Sequence, residues 1–128
     1  DGSLLYIAET IGKQLSIFSR DKNTNDLDLI ESIDFNSGVD NIEIDSGGNL
    51  WIGSHPKMYT FSRHMNDSTV LSPSQVYKVS LDHSNNYTIK EVYLNLGEEL
   101  SGSTVAAVYD STILIGSVFE SYFLDCNY

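Results

Sequence analysis

Asp40 and Asn41 stand side by side, and His55 follows within the same short stretch, Gly38 to Pro56. A carboxylate next to an amide carbonyl offers two hard oxygen donors, the kind calcium takes. Calcium needs about 6 to 8 such oxygens, so this pair supplies only part of a shell. The same two residues also suit an Asx-turn leading into a strand, which is the commoner use of such a pair, and the residues alone leave both readings open. His55, set just past an apolar segment and before the rigidifying Pro56, is either a structural histidine or one that faces a reacting group.

The elements that must position these residues are strands. Between Asn41 and Asp45, Ile42 and Ile44 alternate with Glu43 and Asp45, the period of a half-buried strand. Ser46-Gly47-Gly48-Asn49 tolerates positive φ and turns the chain into the apolar Leu50-Trp51-Ile52, giving a β-hairpin. Neighbours in a regular strand point to opposite faces. Asp40 and Asn41 therefore share one ion only if the backbone departs from the strand there, a departure that Gly38 permits.

This hairpin belongs to a repeat. Leu4-Leu5-Tyr6-Ile7-Ala8 followed by Gln14 to Arg20 has the rhythm of Asn49 to Gly53 followed by Lys57 to Arg63, and again of Thr112 to Gly116 followed by Ser121 to Asp125. Each copy opens on a polar turn (Asp1-Gly2-Ser3, Asp45 to Gly48, Asp110-Ser111) and runs into an apolar strand and then a second strand. A unit of this kind recurring at roughly 45 to 60 residues reads as the blade of a β-propeller. Leu27 to Ile33 adds a strand outside the first copy. Gln75 to Leu81 and Tyr87 to Leu94 form a hairpin around Asp82 to Asn86, and Ser103 to Tyr109 pairs with Ile113 onward. Helical periodicity is weak throughout. The strands account for about two and a half blades, whereas a propeller closes with roughly 4 to 8.

A length of 128 residues fits one domain, and 7 basic against 18 acidic residues gives a formal charge of −11. That balance excludes nucleic-acid binding and disfavours anionic membrane surfaces. No run approaches the roughly 18 apolar residues of a membrane span, and nothing resembles a signal peptide. The chain goes from Asp1-Gly2-Ser3 straight into a strand, the start expected of a piece of a longer protein. Cys126, the single cysteine, is either a buried free thiol or half of a disulfide whose partner is elsewhere. Serine-hydrolase elbows, dinucleotide fingerprints, zincin motifs and Cys-x-x-Cys pairs are absent. Asp21 to Asn25 opens like a calcium loop, but Asp26 replaces its glycine and Ser32 its closing glutamate, so it reads as a plain loop. His64 and His83 fall in polar, loop-like segments and read as solvent-exposed. Asn66-Asp67-Ser68 and Asn86-Tyr87-Thr88, also in loops, are glycan acceptors if the protein is secreted.

Leu5-Tyr-Ile-Ala-Glu9, Gly38-Val-Asp-Asn-Ile, Gly48-Asn-Leu-Trp-Ile-Gly-Ser-His-Pro56, Leu100-Ser-Gly-Ser-Thr-Val-Ala-Ala-Val-Tyr109, Leu114-Ile-Gly-Ser-Val-Phe119 and Cys126, in this order, resemble the C-terminal part of serum paraoxonase/arylesterases. The resemblance implies a secreted, all-β, six-bladed β-propeller with calcium in its central tunnel that hydrolyses lactones, aryl esters and, in some members, organophosphate triesters. Residues 1–128 would be the C-terminal part of that single domain, its last two to three blades. Asp40 and Asn41 fall on the family's calcium-ligating pair, His55 on a histidine lining the cleft, and Val118 and Phe119 on apolar residues of the substrate pocket. Cys126 falls on the cysteine that closes the propeller by bridging to one near the N-terminus. The implied mechanism uses calcium as a Lewis acid while a histidine base activates water. That histidine dyad, the remaining calcium ligands and the helix that binds lipoprotein or membrane belong upstream. No catalytic residue is expected within this chain, and activity of the chain alone is not expected. Two features depart from the family: Ser54 stands where many members carry a free cysteine, and the Asn-Gly turn after His55-Pro56 is lost. The rival readings are a calcium-binding propeller without hydrolase activity and an interaction module that needs no calcium.

Overall fold

The computed structural model describes residues 2–82 and 86–128. The readings of Asp1 in the opening turn and of His83 as an exposed histidine lie outside them. The described elements are strands β1 (Leu4–Glu9), β2 (Gln14–Arg20), β3 (Leu27–Asp34), β4 (Gly38–Ile44) and β5 (Leu50–His55), helix α1 (Met58–Asn66), and strands β6 (Ser74–Leu81), β7 (Tyr87–Asn95), β8 (Ser103–Tyr109), β9 (Thr112–Ser117) and β10 (Leu124–Asn127). The chain is all-β, with three antiparallel sheets in the orders β1-β2-β3, β4-β5-β6-β7 and β10-β9-β8. Every pairing joins strands adjacent in sequence, as short polar turns favour. The repeat is visible in the packing, since β4 lies against β1 as β8 lies against β5.

β5 is the centre of this arrangement because both its faces are covered. Leu50 and Ile52 enter a core with Leu15, Ile17, Ile33, Phe35 and Val39, between the first two sheets. Trp51 points the other way, into a core with Val76, Leu100, Ala106, Ile113 and Ile115, between the second and third. Alternate side chains of one strand thus feed two cores, so the segment reads as an unbroken apolar run. Each fully buried side chain of this size contributes about 1.5 to 3 kcal/mol.

A row of buried serines joins the second and third sheets. Ser101 Oγ accepts from the Ser72 amide, Ser103 Oγ from the Gln75 amide and Ser74 Oγ from the Ser103 amide, all within 3.0 Å. These hydroxyls do at the starts of β6 and β8 and just before them what a strand ladder does elsewhere, satisfying backbone groups that burial would otherwise orphan.

The turn between β4 and β5 is built around Asp45. Its carboxylate accepts from the Gly47 and Asn49 amides, from Asn49 Nδ2 and from Trp51 Nε1, while Gly48 takes φ +81°. Partial burial opposes the charged form, but the hydrogen bonds from Trp51 and Asn49 outweigh it and hold the carboxyl at about 2 instead of the usual 3.8. A folded value below the unfolded one means that this stabilisation is fully present above about pH 4 and is lost as pH falls through 2. Asp45→Asn is expected to cost on the order of 1 kcal/mol at neutral pH, after allowance for solvent screening, and nothing below pH 2. Unfolding of both proteins followed from pH 6 to pH 2 should show the two curves converging.

Two expectations are corrected. Lys57 to Arg63 is not a second strand: Met58–Asn66 is a helix. The place beside β5 belongs to β6, with Leu50 to Ser54 paired to Val79 to Gln75, and Phe61 and His64, at helical spacing, bury one face of α1. In the last copy the second strand begins only at Leu124, leaving Ser121 to Phe123 outside it. The β6/β7 hairpin, the β8/β9 hairpin, β3 beside β2 and the loop at Asp21 to Asn25 are as expected.

Candidate functional site

Asp40 and Asn41 lie at a break in the ladder of β4 and β5. Val39 pairs with Ser54 and Ile42 with Ile52, so the two residues together oppose Gly53 alone, the pattern of a β-bulge. A bulge turns side chains away from strict alternation, which is the departure that a shared ligand requires. It occurs past Gly38, whose contribution differs from the one expected. Gly38 is not in the positive-φ region. A Cβ there would instead run into the Met58 sulfur, so the glycine lets β4 approach α1.

His55 is the last residue of β5, within the strand and not past it, and is 0% exposed. Its Nε2 lies 3.1 Å from Asp40 Oδ2. A carboxylate only accepts, so Nε2 carries the proton and Nδ1 of the neutral ring is left as a lone pair, without a hydrogen-bond partner. The imidazole stacks on Phe61 of α1 at 3.4 Å between centroids and 14° between planes. Helix and bulge thus hold the ring from two sides. Asp40 keeps 31% of its side chain exposed, and Asn41 is exposed.

His64 corrects a further expectation. It is 0% exposed on the inner face of α1, not a solvent-facing loop residue. Its Nδ1 is 2.7 Å from the Val70 carbonyl oxygen. That oxygen only accepts, so Nδ1 donates, and Nε2 is without a partner. The His64 ring meets Phe119 edge-on at 5.1 Å and lies 6.4 Å from Phe61. A line of contacts therefore runs from Asp40 through His55, Phe61 and His64 to Phe119, joining two of the segments singled out in the sequence. Phe61 was missed because Lys57 to Arg63 was read as a strand, and His64 because it was read as an exposed residue in a polar segment. The signal was present: Met58, Phe61 and Met65 recur at helical spacing.

The other singled-out residues are placed as follows. Val118 and Phe119 follow β9 and are each 46% exposed. Ser54, where the resemblance implies a cysteine in many members, is buried with its hydroxyl donating to the Gln75 carbonyl. Asn66 ends helix α1, where a loop was expected, and is exposed with its amide donating to the Ser62 carbonyl. Asn86 is exposed before β7 and bonded to Asp82. Cys126 is a free thiol on β10, half-buried against the second core. Burial, then the charges of Asp125 and Glu99, push its pKa up, which makes it a poor nucleophile.

As a cation site, Asp40 and Asn41 fit calcium by donor type and fall short by number. Among the described residues no cluster of three or more His, Cys, Asp or Glu is placed to hold a metal. Among them, too, no helix is long and apolar enough to cross a membrane.

A family model described as Arylesterase matches residues 1–127. Over 124 residues the chain is 36% identical to serum paraoxonase/arylesterase 1 of Homo sapiens and 31% identical to serum paraoxonase/arylesterase 2 of Homo sapiens. It is 30% identical over 121 residues to serum paraoxonase/lactonase 3 of Rattus norvegicus. Each match takes in 94% of this chain and 33% of the relative. The chain thus spans about a third of the length of the curated relatives it matches.

Proposed function

This chain belongs to the arylesterase family, and on that premise we propose that it forms the C-terminal part of a calcium-dependent hydrolase of lactones and aryl esters. The observation that carries the reading is the bulge at Asp40 and Asn41, fixed by a buried histidine. The bulge puts both residues opposite Gly53, which supports their use as neighbouring donors, and the Asp40 carboxylate is held by His55, itself stacked on Phe61.

In this reading Asp40 and Asn41 hold calcium together with residues from the part of the family that this chain does not cover. Bound there, calcium supplies Lewis-acid polarisation of an ester or lactone carbonyl. His55 donates from Nε2 to Asp40 Oδ2 and so orients the carboxylate, as partners of metal ligands commonly do. Phe61 locks the His55 ring by stacking. Val118 and Phe119 offer an apolar wall to an aryl group or lactone ring. The base that activates water is a histidine pair outside this chain, so the chain alone is inactive. Organophosphate triesters are a further substrate class under the same chemistry.

The three sheets would be the last two and a half blades of a six-bladed propeller. Supporting this, Leu5, Phe18 and Leu29 form one cross-strand row on the face of the first sheet turned away from its core. Leu5 and Leu29 are 38% and 58% exposed, and a preceding blade would cover them. Secretion, glycans on Asn66 and Asn86, and a disulfide from Cys126 to a cysteine elsewhere in the protein complete the proposal.

The test is hydrolysis of an aromatic lactone by this chain alone and by the protein extended to the full length of its relatives, each in calcium and in excess EDTA. Turnover only in the extended, calcium-replete sample is the expected result. If the extended protein folds and binds calcium but hydrolyses neither lactone nor aryl ester, it is a calcium-binding propeller and the hydrolase reading is wrong.

A further inference from the structure

We propose that His64 is a specificity-determining residue of this site, accepting a hydrogen bond from an O–H or N–H group carried on the aryl or ring portion of the substrate. The inference rests on the hydrolase reading for the identity of the ligand, and on the following geometry for the role of the residue.

Buried polar groups almost always find partners, because leaving one unpaired costs the whole of its desolvation. His64 has one partner and needs two. Its Nδ1 proton is committed to the Val70 carbonyl at 2.7 Å, which fixes the tautomer and leaves Nε2 of the neutral ring able only to accept. No described group donates to it. That edge of the ring faces Gly102, where a Cβ would stand 3.2 Å from Nε2 and 3.0 Å from Cδ2. Gly102 has φ +63°, so a side chain there is strained as well as crowded. The ring also meets Phe119 edge-on at 5.1 Å, and Phe119 is itself 46% exposed. A ligand packing against Phe119 thus lies beside the ring whose Nε2 is a buried, unpartnered acceptor. An ester lacking a donor gains only the apolar contact there, whereas one bearing a hydroxyl satisfies Nε2 as well.

The experiment uses the full-length protein in calcium and a matched pair of amide analogues, acetanilide and 4-hydroxyacetanilide, which differ by one phenolic O–H. Dissociation constants are measured by NMR for the wild type, His64→Asn and His64→Phe. The asparagine variant keeps a donor for the Val70 carbonyl and lacks the Nε2 acceptor, which guards against simple loss of folding. The wild type should bind the hydroxylated analogue about fivefold more tightly, with a shift of the His64 Nε2 ¹⁵N resonance. Both variants should lose the preference while keeping their acetanilide affinity within about twofold. Equal binding of the two analogues by the wild type, or a preference that survives in both variants, overturns the inference. Turnover of phenyl acetate is measured in parallel. Turnover without discrimination removes the inference and leaves the hydrolase reading, whereas His64-dependent discrimination without turnover does the reverse.

Discussion

Asp40→Ala should abolish lactone and aryl ester turnover in the full-length, calcium-replete protein, by about a thousandfold or more. On the proposed assignment, the change removes a charged calcium ligand that neither water nor an amide replaces in strength. It also strips His55 Nε2–H of its acceptor, and a buried donor left unpaired costs roughly 1 to 3 kcal/mol. Those two effects separate in Asp40→Asn. The amide oxygen still accepts from His55, so unfolding should move little, while the lost charge should weaken calcium binding and turnover nearly as much as alanine does. Calcium titration, kcat for an aromatic lactone and urea unfolding on the three proteins give the comparison. If Asp40→Ala hydrolyses lactone at the wild-type rate, Asp40 does not ligate the catalytic calcium, and the site assignment goes with it.

The hairpin that carries Asp40 was legible because its signals are local. Ile42 and Ile44 alternate, Gly47 and Gly48 turn the chain, and Leu50 to Ile52 form an apolar run. The strand pairing was legible for the same reason, since each of the three sheets is a meander of sequence neighbours. Helix α1 was not, because its segment was read by analogy with the other copies, and analogy outweighed the helical spacing of Met58, Phe61 and Met65. What placed the helix is tertiary: β6 already occupies the free edge of β5, so the chain leaving His55 has no ladder to join. His64 was misread as exposed for the same reason. Its neighbours Arg63 and, two residues on, Asn66 are polar and exposed, and it is buried by contacts with Val70, Gly102 and Phe119, the last two far along the chain. The serines at 72, 74, 101 and 103 look like a loop composition and turn out to form a buried seam between two sheets. Such pairing depends on which segments meet, and no window of sequence holds that information.

Gly53→Ala is the substitution expected to damage the fold most for the fewest added atoms. A Cβ at Gly53 would overlap the backbone carbonyl of Thr104, and backbone, unlike the end of a flexible side chain, cannot swing aside. Relief requires the third sheet to move off β5, which opens the core around Trp51 and pulls on the serine seam beside it. A cost of about 3 kcal/mol follows for such overpacking. The position also lies opposite the Asp40 and Asn41 bulge, so displacement of β5 disturbs the proposed calcium ligands and should lower turnover together with stability. Gly48→Ala is the control. Gly48 has φ +81° but no neighbour within 4 Å of the added carbon, so only backbone strain of about 1 kcal/mol is expected, with activity unchanged. Urea unfolding and lactone turnover of both variants should therefore rank Gly53→Ala well below Gly48→Ala on both measures. Equal stabilities would mean that β8 does not lie against β5 as closely as the Gly53 to Thr104 contact requires.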